Sequence, residues 1–177
     1  EAIAERGPAA LYDGPLGAAL TDFMAGHGGL IDQADLSAFR VIERAPVRGT
    51  YRGFEILGPP PPSSSGVHIV QMLNILEGYD IGGLGFGSAD AVHLLAEALK
   101  IAFADRAVAT ADPAFVDVPV DRLIAKSYAE ERRSRIDLRR TQAWTAGLAG
   151  GESANTTHVT VADAAGNVVA TTQTING

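Results

Sequence analysis

Glycine and proline divide this chain into short elements. The 177 residues include 20 glycines and 9 prolines, many of them in clusters that separate one periodic run from the next. Runs with helical spacing dominate residues 1–155, and two stretches consist of paired extended runs. The pattern predicts an α+β fold, mostly helical in residues 1–155 with a β-hairpin at residues 156–174.

Apolar residues that recur every three or four positions predict most of the helices. We expect helices over residues 14–27, 32–39, 67–78, 89–110, 120–126 and 127–138. The predicted inner face of the longest helix consists of Val92, Leu95, Ala96, Leu99 and Phe103. The arginines between residues 132 and 140 are interleaved with acidic residues, which predicts a solvated face.

Two segments predict β-hairpins. The runs at residues 41–48 and 50–57 are rich in β-branched and aromatic residues, and Gly49 between them predicts the turn. The runs at residues 156–162 and 168–174 flank the turn sequence D-A-A-G-N, which makes this the clearer hairpin. Residues 142–155, rich in alanine and glycine, predict a mobile loop.

Composition and charge exclude several functional classes. A formal net charge of −7 argues against nucleic-acid binding, which needs a basic face. No apolar run approaches the length of a membrane span. The absence of cysteine excludes disulfides, thiol catalysis and cysteine metal sites. The sequence begins within a predicted helix and ends directly after a predicted strand, so we expect a fragment of a longer protein.

Local motifs elsewhere are better explained by structure than by chemistry. The glycines at residues 82–87 lack the spacing and the preceding strand of a dinucleotide-binding loop. His93 and Glu97 lie one helical turn apart, but a zinc helix needs a second histidine, so a partly buried polar pair is expected. The segment P-P-P-P-S-S-S-G at residues 59–66 lacks the G-x-S-x-G pattern and predicts a rigid approach to a helix N-cap.

Thr156, at the start of the last hairpin, is a candidate nucleophile. A threonine hydroxyl needs a base, and its own α-amino group, with a pKa of about 7.7–8.0, can serve once the Asn155–Thr156 bond is cut. An alanine- and glycine-rich segment leading into a strand fits such self-cleavage. The residues alone also fit an ordinary strand, because threonine favours β-structure.

Several blocks in order resemble the γ-glutamyltranspeptidases (glutathione hydrolases), which are N-terminal nucleophile hydrolases. They are GGLIDQADLSAFRVIERAPVRGTYRGFEI, PPPPSSSGVHIVQMLNILEGYDI, HLLAEALKIAFADRA, DPAFVDVPV and NTTHVTVADAAGNVVATTQTING. The resemblance implies part of an αββα sandwich, made as one inactive precursor. Ser65-Gly66 stands where the family has a double glycine, which alters a turn and not the nucleophile.

The resemblance also implies the site residues. Self-cleavage at Asn155–Thr156 would leave residues 1–155 as the end of the large-subunit region and residues 156–177 as the start of the small-subunit region. Thr156 would then attack the γ-glutamyl amide, Thr174 would orient it, and Asn176 would bind the γ-glutamyl group. Water, or an acceptor amino acid or peptide, would take the acyl group, with no metal or cofactor.

Other groups that the family uses lie outside this chain. They are an upstream arginine for the substrate carboxylate, a downstream glycine pair for the oxyanion, and a downstream acidic residue for the substrate amine. We therefore expect the isolated 177 residues to lack substantial activity and to depend on the missing upstream and downstream segments. Thr157 and His158 are expected to be supporting neighbours, and the resemblance implies a periplasmic or secreted location.

Two other interpretations remain open from the sequence. A related acylase, acting on a β-lactam side-chain amide or on poly-γ-glutamate, would use the same precursor and nucleophile. A noncatalytic helical interaction domain, from a homologue that never matures, belongs to a different class. The threonines at 156 and 174 argue against the noncatalytic domain, and an unprocessed parent protein would support it.

Overall fold

The computed structural model describes residues 1–147, 157–162, 165 and 168–173. The described part contains eight helices and four strands, and the chain divides into two units, Glu1–Arg44 and Ala45–Gly177. The helices are α1 (Ala2–Arg6), α2 (Ala9–Tyr12), α3 (Pro15–Gly26), α4 (Gln33–Ala38), α5 (Ser65–Leu76), α6 (Ala89–Ala109), α7 (Val120–Leu123) and α8 (Lys126–Arg133). The strands are β1 (Val47–Tyr51), β2 (Phe54–Gly58), β3 (Thr157–Ala162) and β4 (Val168–Gln173).

The first unit contains helices α1 to α4. Helix α4 begins at a capping box: the Asp35 amide donates to the Asp32 carboxylate at 2.9 Å, and the Asp32 amide donates to the Asp35 carboxylate at 3.0 Å. This confirms the helix predicted over residues 32–39. Few side chains of this unit are buried, Ala10 and Leu36 among them.

In the second unit, helix α5 lies at the centre and contacts α6, α8, β1 and β2. Its apolar residues contribute to two core clusters, one around Val67 and Val70 and the other around Ile75 and Leu76. The chain enters α5 through Gly66, where an added Cβ would lie 2.2 Å from the Pro59 carbonyl oxygen. This close approach explains why glycine is kept at residue 66, whereas residue 65 is an exposed serine at the first helical position. The Ser64 side chain makes no capping hydrogen bond, so the serines do not act as the predicted side-chain cap.

Strands β1 and β2 form an antiparallel hairpin in which Val47 pairs with Gly58. The predicted turn at Gly49 is wrong: the turn lies at Arg52 and Gly53, both with positive φ. Gly49 lies within β1, where an added Cβ would be 2.4 Å from a methyl carbon of Val70. Residue 49 is therefore glycine because α5 packs against the strand there.

Helix α6 runs close to its predicted bounds, and the Ser88 hydroxyl caps it by accepting from the Ala91 amide at 3.1 Å. The predicted inner face is wrong, since Val92, Leu95, Leu99 and Phe103 are between 43% and 56% exposed. The buried face instead combines apolar residues with two carboxylates, and its members are Ala91, Leu94, Glu97, Ala98, Ile101, Ala102, Asp105 and Ala109. Hydrophobic periodicity follows only the apolar residues and so chose the opposite face, although Glu97 was expected to be part of a partly buried polar pair.

The C-terminal hairpin is confirmed. Strands β3 and β4 pair antiparallel from Thr157 opposite Gln173 to Ala162 opposite Val168. Together with the helices, the two hairpins confirm the α+β prediction. Helix α8 ends at Arg133, earlier than the predicted helix over residues 127–138. Among the residues that the structure describes, no helix is long and apolar enough to cross a membrane.

Candidate active site

The predicted site residues Asn155, Thr156, Thr174 and Asn176 lie outside the described residues, so their roles stay predictions. The described neighbours of both threonines are paired: Thr157 lies opposite Gln173 at one end of the β3–β4 hairpin. In sequence, Thr156 directly precedes Thr157 and Thr174 directly follows Gln173. The described neighbours of the two predicted site threonines, Thr157 and Gln173, therefore lie at the same end of the hairpin.

The segment that approaches the predicted cleavage site is described as far as Gly147. We call residues 141–147 the approach segment. The mobile loop predicted from residue 142 onward is wrong for residues 142–147, because several of them bond to buried side chains of α6 and α8. Residues 148–155 lie outside the described part of the chain.

The first of these buried side chains is Glu97, which has no exposed surface. Its carboxylate accepts from Trp144 Nε1 at 2.5 Å and from Thr141 Oγ1 at 2.8 Å, both in the approach segment. Lys100 Nζ donates to the same carboxylate at 2.8 Å. Burial alone would raise the pKa of Glu97, but the hydrogen bonds from Lys100, Trp144, Thr141 and the Gln142 amide outweigh it and hold the pKa at about 2. Glu97 is therefore ionised at neutral pH.

The second is Asp105, two turns further along α6 and also without exposed surface. The Gly147 amide donates to Oδ1 at 2.6 Å, while Gln71 Nε2 and the Tyr128 hydroxyl donate to Oδ2 at 2.6 Å and 2.9 Å. Arg132 Nη2 lies 3.8 Å from Oδ1 and donates to the Thr145 carbonyl at 2.8 Å. Burial, together with the bond to Asp105, raises the pKa of Tyr128 above its usual range, so the hydroxyl remains a donor.

Arg132 is 2% exposed, which contradicts the solvated face predicted for the arginine-rich segment. Its guanidinium also lies 5.3 Å from the centre of the Trp144 ring. Sequence reasoning missed Arg132, Asp105 and Trp144; the one available signal was a pair of acidic residues eight positions apart, on one face of a helix.

A neutral histidine extends the Asp105 network. Because Gln71 Nε2 donates to Asp105, its Oε1 is free to accept from His68 Nδ1, 2.9 Å away. His68 Nε2 then accepts from the Thr110 hydroxyl at 2.8 Å. Burial lowers the pKa of His68, and this effect outweighs the hydrogen bond to Gln71, which acts in the opposite direction. Because its pKa is lowered, the ring is neutral at physiological pH.

Within the described ranges, no three His, Asp or Glu side chains converge where they could hold a metal ion. The expected polar pair of His93 and Glu97 is not formed, since His93 Nε2 bonds to the Asp137 carbonyl at 2.8 Å and Glu97 has other partners. The glycine segment at residues 82–87 forms turns between α5 and α6, not a strand-to-helix phosphate loop.

Comparisons of the sequence and of the fold with known proteins identify the class to which the chain belongs. A sequence model described as gamma-glutamyltranspeptidase matches residues 1–177, and the chain belongs to that family. The family predicted from the sequence is thereby confirmed, and with it the assignment to the N-terminal nucleophile hydrolase fold.

Two curated relatives bear different activity names. The chain is 76% identical over 175 residues to the acylase ACY 1 proenzyme of Pseudomonas sp. (strain SE83), covering 99% of this chain and 31% of that protein. It is 46% identical over 180 residues to the glutathione hydrolase proenzyme of Escherichia coli (strain K12), again covering 99% and 31%. The chain thus spans about a third of the length of these relatives.

Solved structures show the same division. The γ-glutamyltranspeptidase of Helicobacter pylori matches with a TM-score of 0.76 and 39% identity, over 79% of this chain and 40% of that chain. The cephalosporin acylase of Bacillus halodurans matches with a TM-score of 0.70 and 31% identity, over 76% of this chain and 25% of that one. Both activities therefore occur on close structural relatives of this chain.

Proposed function

We propose that the full-length protein is a self-processing amide acylase with Thr156 as its nucleophile. The observation that carries this proposal is the match over the whole chain to relatives named proenzymes, with 76% identity to one named an acylase. The proposal divides the chain at the Asn155–Thr156 bond into a large-subunit region, residues 1–155, and a small-subunit region, residues 156–177. The boundary between the two structural units, at residue 44, is a separate feature.

Self-cleavage would proceed by an N-to-O acyl shift. The Thr156 hydroxyl attacks the Asn155 carbonyl carbon, the peptide C–N bond breaks, and the hydroxyl proton passes to the departing Thr156 nitrogen. Water then hydrolyses the resulting ester, which gives a carboxylate on Asn155 and a free α-amino group on Thr156. No outside oxidant, reductant or metal is needed for the balance of this step.

Turnover would reuse the same hydroxyl. The freed amine of Thr156 accepts the hydroxyl proton while the oxygen attacks the substrate amide, and the leaving amine takes a proton as its bond to the acyl carbon breaks. Water or an acceptor amine then cleaves the acyl ester. Thr174 is proposed to orient the nucleophile and Asn176 to bind the acyl group, both from the family resemblance.

The acyl group is a separate question from the nucleophile. The 76% identity to a relative named an acylase, together with the structural match to a protein named a cephalosporin acylase, favours a β-lactam side-chain amide as substrate. The family match and the 46% identity to a glutathione hydrolase proenzyme favour γ-glutamyl amides, including glutathione, as the second candidate. Since the predicted carboxylate-binding and oxyanion groups lie outside these 177 residues, the isolated chain is expected to be inactive.

Processing is tested on the full-length parent by intact mass and N-terminal sequencing. We expect a small subunit beginning at Thr156 in the wild type and in Thr157→Ala, and none in Thr156→Ala. Thr157→Ala is the matched control because it removes the neighbouring hydroxyl from the same segment. A well-folded wild-type parent that stays in one piece would contradict the proposal and favour the noncatalytic domain.

Substrate class is tested on the matured protein with a γ-glutamyl anilide, glutathione and a cephalosporin carrying a side-chain amide. Faster turnover of the cephalosporin amide would support the acylase assignment. Faster turnover of the γ-glutamyl substrates would replace it with the second candidate. A periplasmic or secreted location is also proposed from the family resemblance, and fractionation of cells making the full-length protein tests it.

A further inference from the structure

We propose that Glu97 and Asp105 anchor the approach segment and thereby set the rate of self-cleavage at Asn155–Thr156, a role that rests on the proposed function. Neither side chain is a catalytic residue, because neither is proposed to touch the reacting atoms. They are positioning residues that act through residues 141–147.

The two anchors hold the segment in a defined direction along α6. Trp144 bonds to Glu97 and Gly147 bonds to Asp105, so the segment runs from the earlier to the later anchor. Eight residues of helix rise about 12 Å, so the two anchors lie about two turns apart along α6. Residues 144–147 therefore connect two fixed points, and the chain leaves Gly147 from a fixed place.

The anchors are built to persist. Both carboxylates have no exposed surface, and each accepts hydrogen bonds from outside the approach segment as well as from within it. A third bond, from Arg132 to the Thr145 carbonyl, holds the segment between the two anchors. Gly147 itself is closely enclosed, since an added Cβ would lie 2.1 Å from the Tyr128 hydroxyl.

This anchoring limits where the scissile bond can lie. Asn155 follows Gly147 by only eight positions in the sequence, so the chain between them can reach at most about 26–29 Å from the anchored point. An N-to-O acyl shift requires the hydroxyl and the carbonyl carbon in near-attack geometry, and small displacements cost up to about 100-fold in rate. If the anchors were lost, residues 141–147 would no longer be held, and the unanchored chain before Asn155 would be longer by these residues. The added conformational freedom would disfavour the near-attack geometry.

The test follows the appearance of the small subunit during cell-free synthesis of the full-length parent. We expect Glu97→Gln and Asp105→Asn to slow cleavage by about tenfold or more. Trp144→Phe, which keeps an aromatic ring and removes one donor, should slow it by a smaller factor. Glu131→Gln is the control, because it removes an exposed carboxylate of α8 that pairs with Arg135 beyond the end of the helix.

A second perturbation separates anchoring from general damage to the fold. Inserting Gly-Ser-Gly-Ser between Gly150 and Gly151 adds slack without touching the anchors. We expect the insertion to slow cleavage as the anchor variants do. When the insertion is combined with Trp144→Phe, we expect the cleavage rate to fall by less than a further twofold. Once the bond is cut, the anchors no longer constrain Thr156, so kcat/KM per cleaved molecule should stay within about twofold of the wild-type value.

Three results would overturn the inference. The first is that the anchor variants cleave at the wild-type rate. The second is that the insertion and Trp144→Phe, when combined, slow cleavage by the product of their separate factors. The third is that Trp144→Phe lowers the cleavage rate and kcat/KM by the same factor. Melting temperatures in the Thr156→Ala background identify any variant that fails to fold. If Glu97→Gln or Asp105→Asn fails to fold, the cleavage rates of Trp144→Phe and of the insertion variant decide whether the inference holds. A wild-type parent that never cleaves would instead remove the proposed function.

Discussion

Glu97 and Asp105 lie on one face of the same helix and are equally buried, but their charges are stabilised in different ways. Glu97 has a cation close to it, and that cation, Lys100, keeps 41% of its side chain exposed. Asp105 is held by uncharged donors from three parts of the chain, with Arg132 at 3.8 Å and almost wholly buried.

The difference shows two routes to burying a carboxylate. At Glu97 the compensating charge remains in contact with water, so only the acid is desolvated. At Asp105 both the acid and its cation are desolvated, and losing one partner leaves the other uncompensated. The two sites should therefore respond differently to substitution, although both hold the same segment.

The largest effect is expected for Asp105→Ala. The substitution leaves Gln71, Tyr128 and the Gly147 amide without their acceptor and isolates the charge of Arg132, so we expect a loss of about 3–5 kcal/mol in unfolding free energy. Chemical unfolding of the full-length parent in the Thr156→Ala background measures it. The exposed Asp117→Ala is the control and should change stability by less than about 0.5 kcal/mol. A loss below about 1 kcal/mol at Asp105 would show that water replaces the carboxylate.

Acidic pH should act through Glu97. Its folded-state pKa of about 2 lies below the ordinary value of 4.5, so its contribution is present above pH 4.5 and is lost as the pH falls toward 2. The whole contribution is about 3 kcal/mol. Unfolding free energy of the Thr156→Ala parent should therefore fall more steeply over this range than that of the same protein carrying Glu97→Gln. Parallel curves would contradict the assignment.

An intermediate effect is expected for Tyr128→Phe. The substitution keeps the ring and removes one donor to Asp105, whose other donors remain, so we expect a loss of about 1–2 kcal/mol. Denaturant unfolding measures it, and Tyr51→Phe in β1 is the matched control. A loss as large as that of Asp105→Ala would mean that the hydroxyl alone stabilises the buried charge.

Local signals in the sequence predicted much of the fold. The helical periodicity of residues 32–39 predicted α4, and the D-A-A-G-N turn predicted the last hairpin. Both depend on residues only a few positions apart, so pattern and structure agree. Gly49 shows the limit of such signals, because its role depends on Val70 in a different element.

The same limit explains which parts of the candidate site could be predicted from the sequence. Thr156 and Thr174 are predicted through the family blocks and their roles stay predictions, whereas Asp105 was not singled out and Glu97 was given the wrong partner, His93. Glu97 and Asp105 are stabilised by partners more than 30 residues away, among them Gln71 and Trp144. A hydrophobicity pattern places an acid in solvent unless its partners are known, and those partners are fixed only by tertiary packing.

The smallest effect is expected for Lys100→Met, which tests whether Glu97 needs its cation. Three donors of the approach segment remain on the carboxylate, and the lysine is partly screened by water, so we expect a loss of about 1 kcal/mol or less. The acid transition of the Thr156→Ala parent should also move to higher pH, because losing the cation raises the pKa of Glu97. Arg48→Met, which breaks the exposed pair with Glu55, is the control and should leave that transition unchanged. A loss as large as that of Asp105→Ala would mean that the two carboxylates depend on their cations alike.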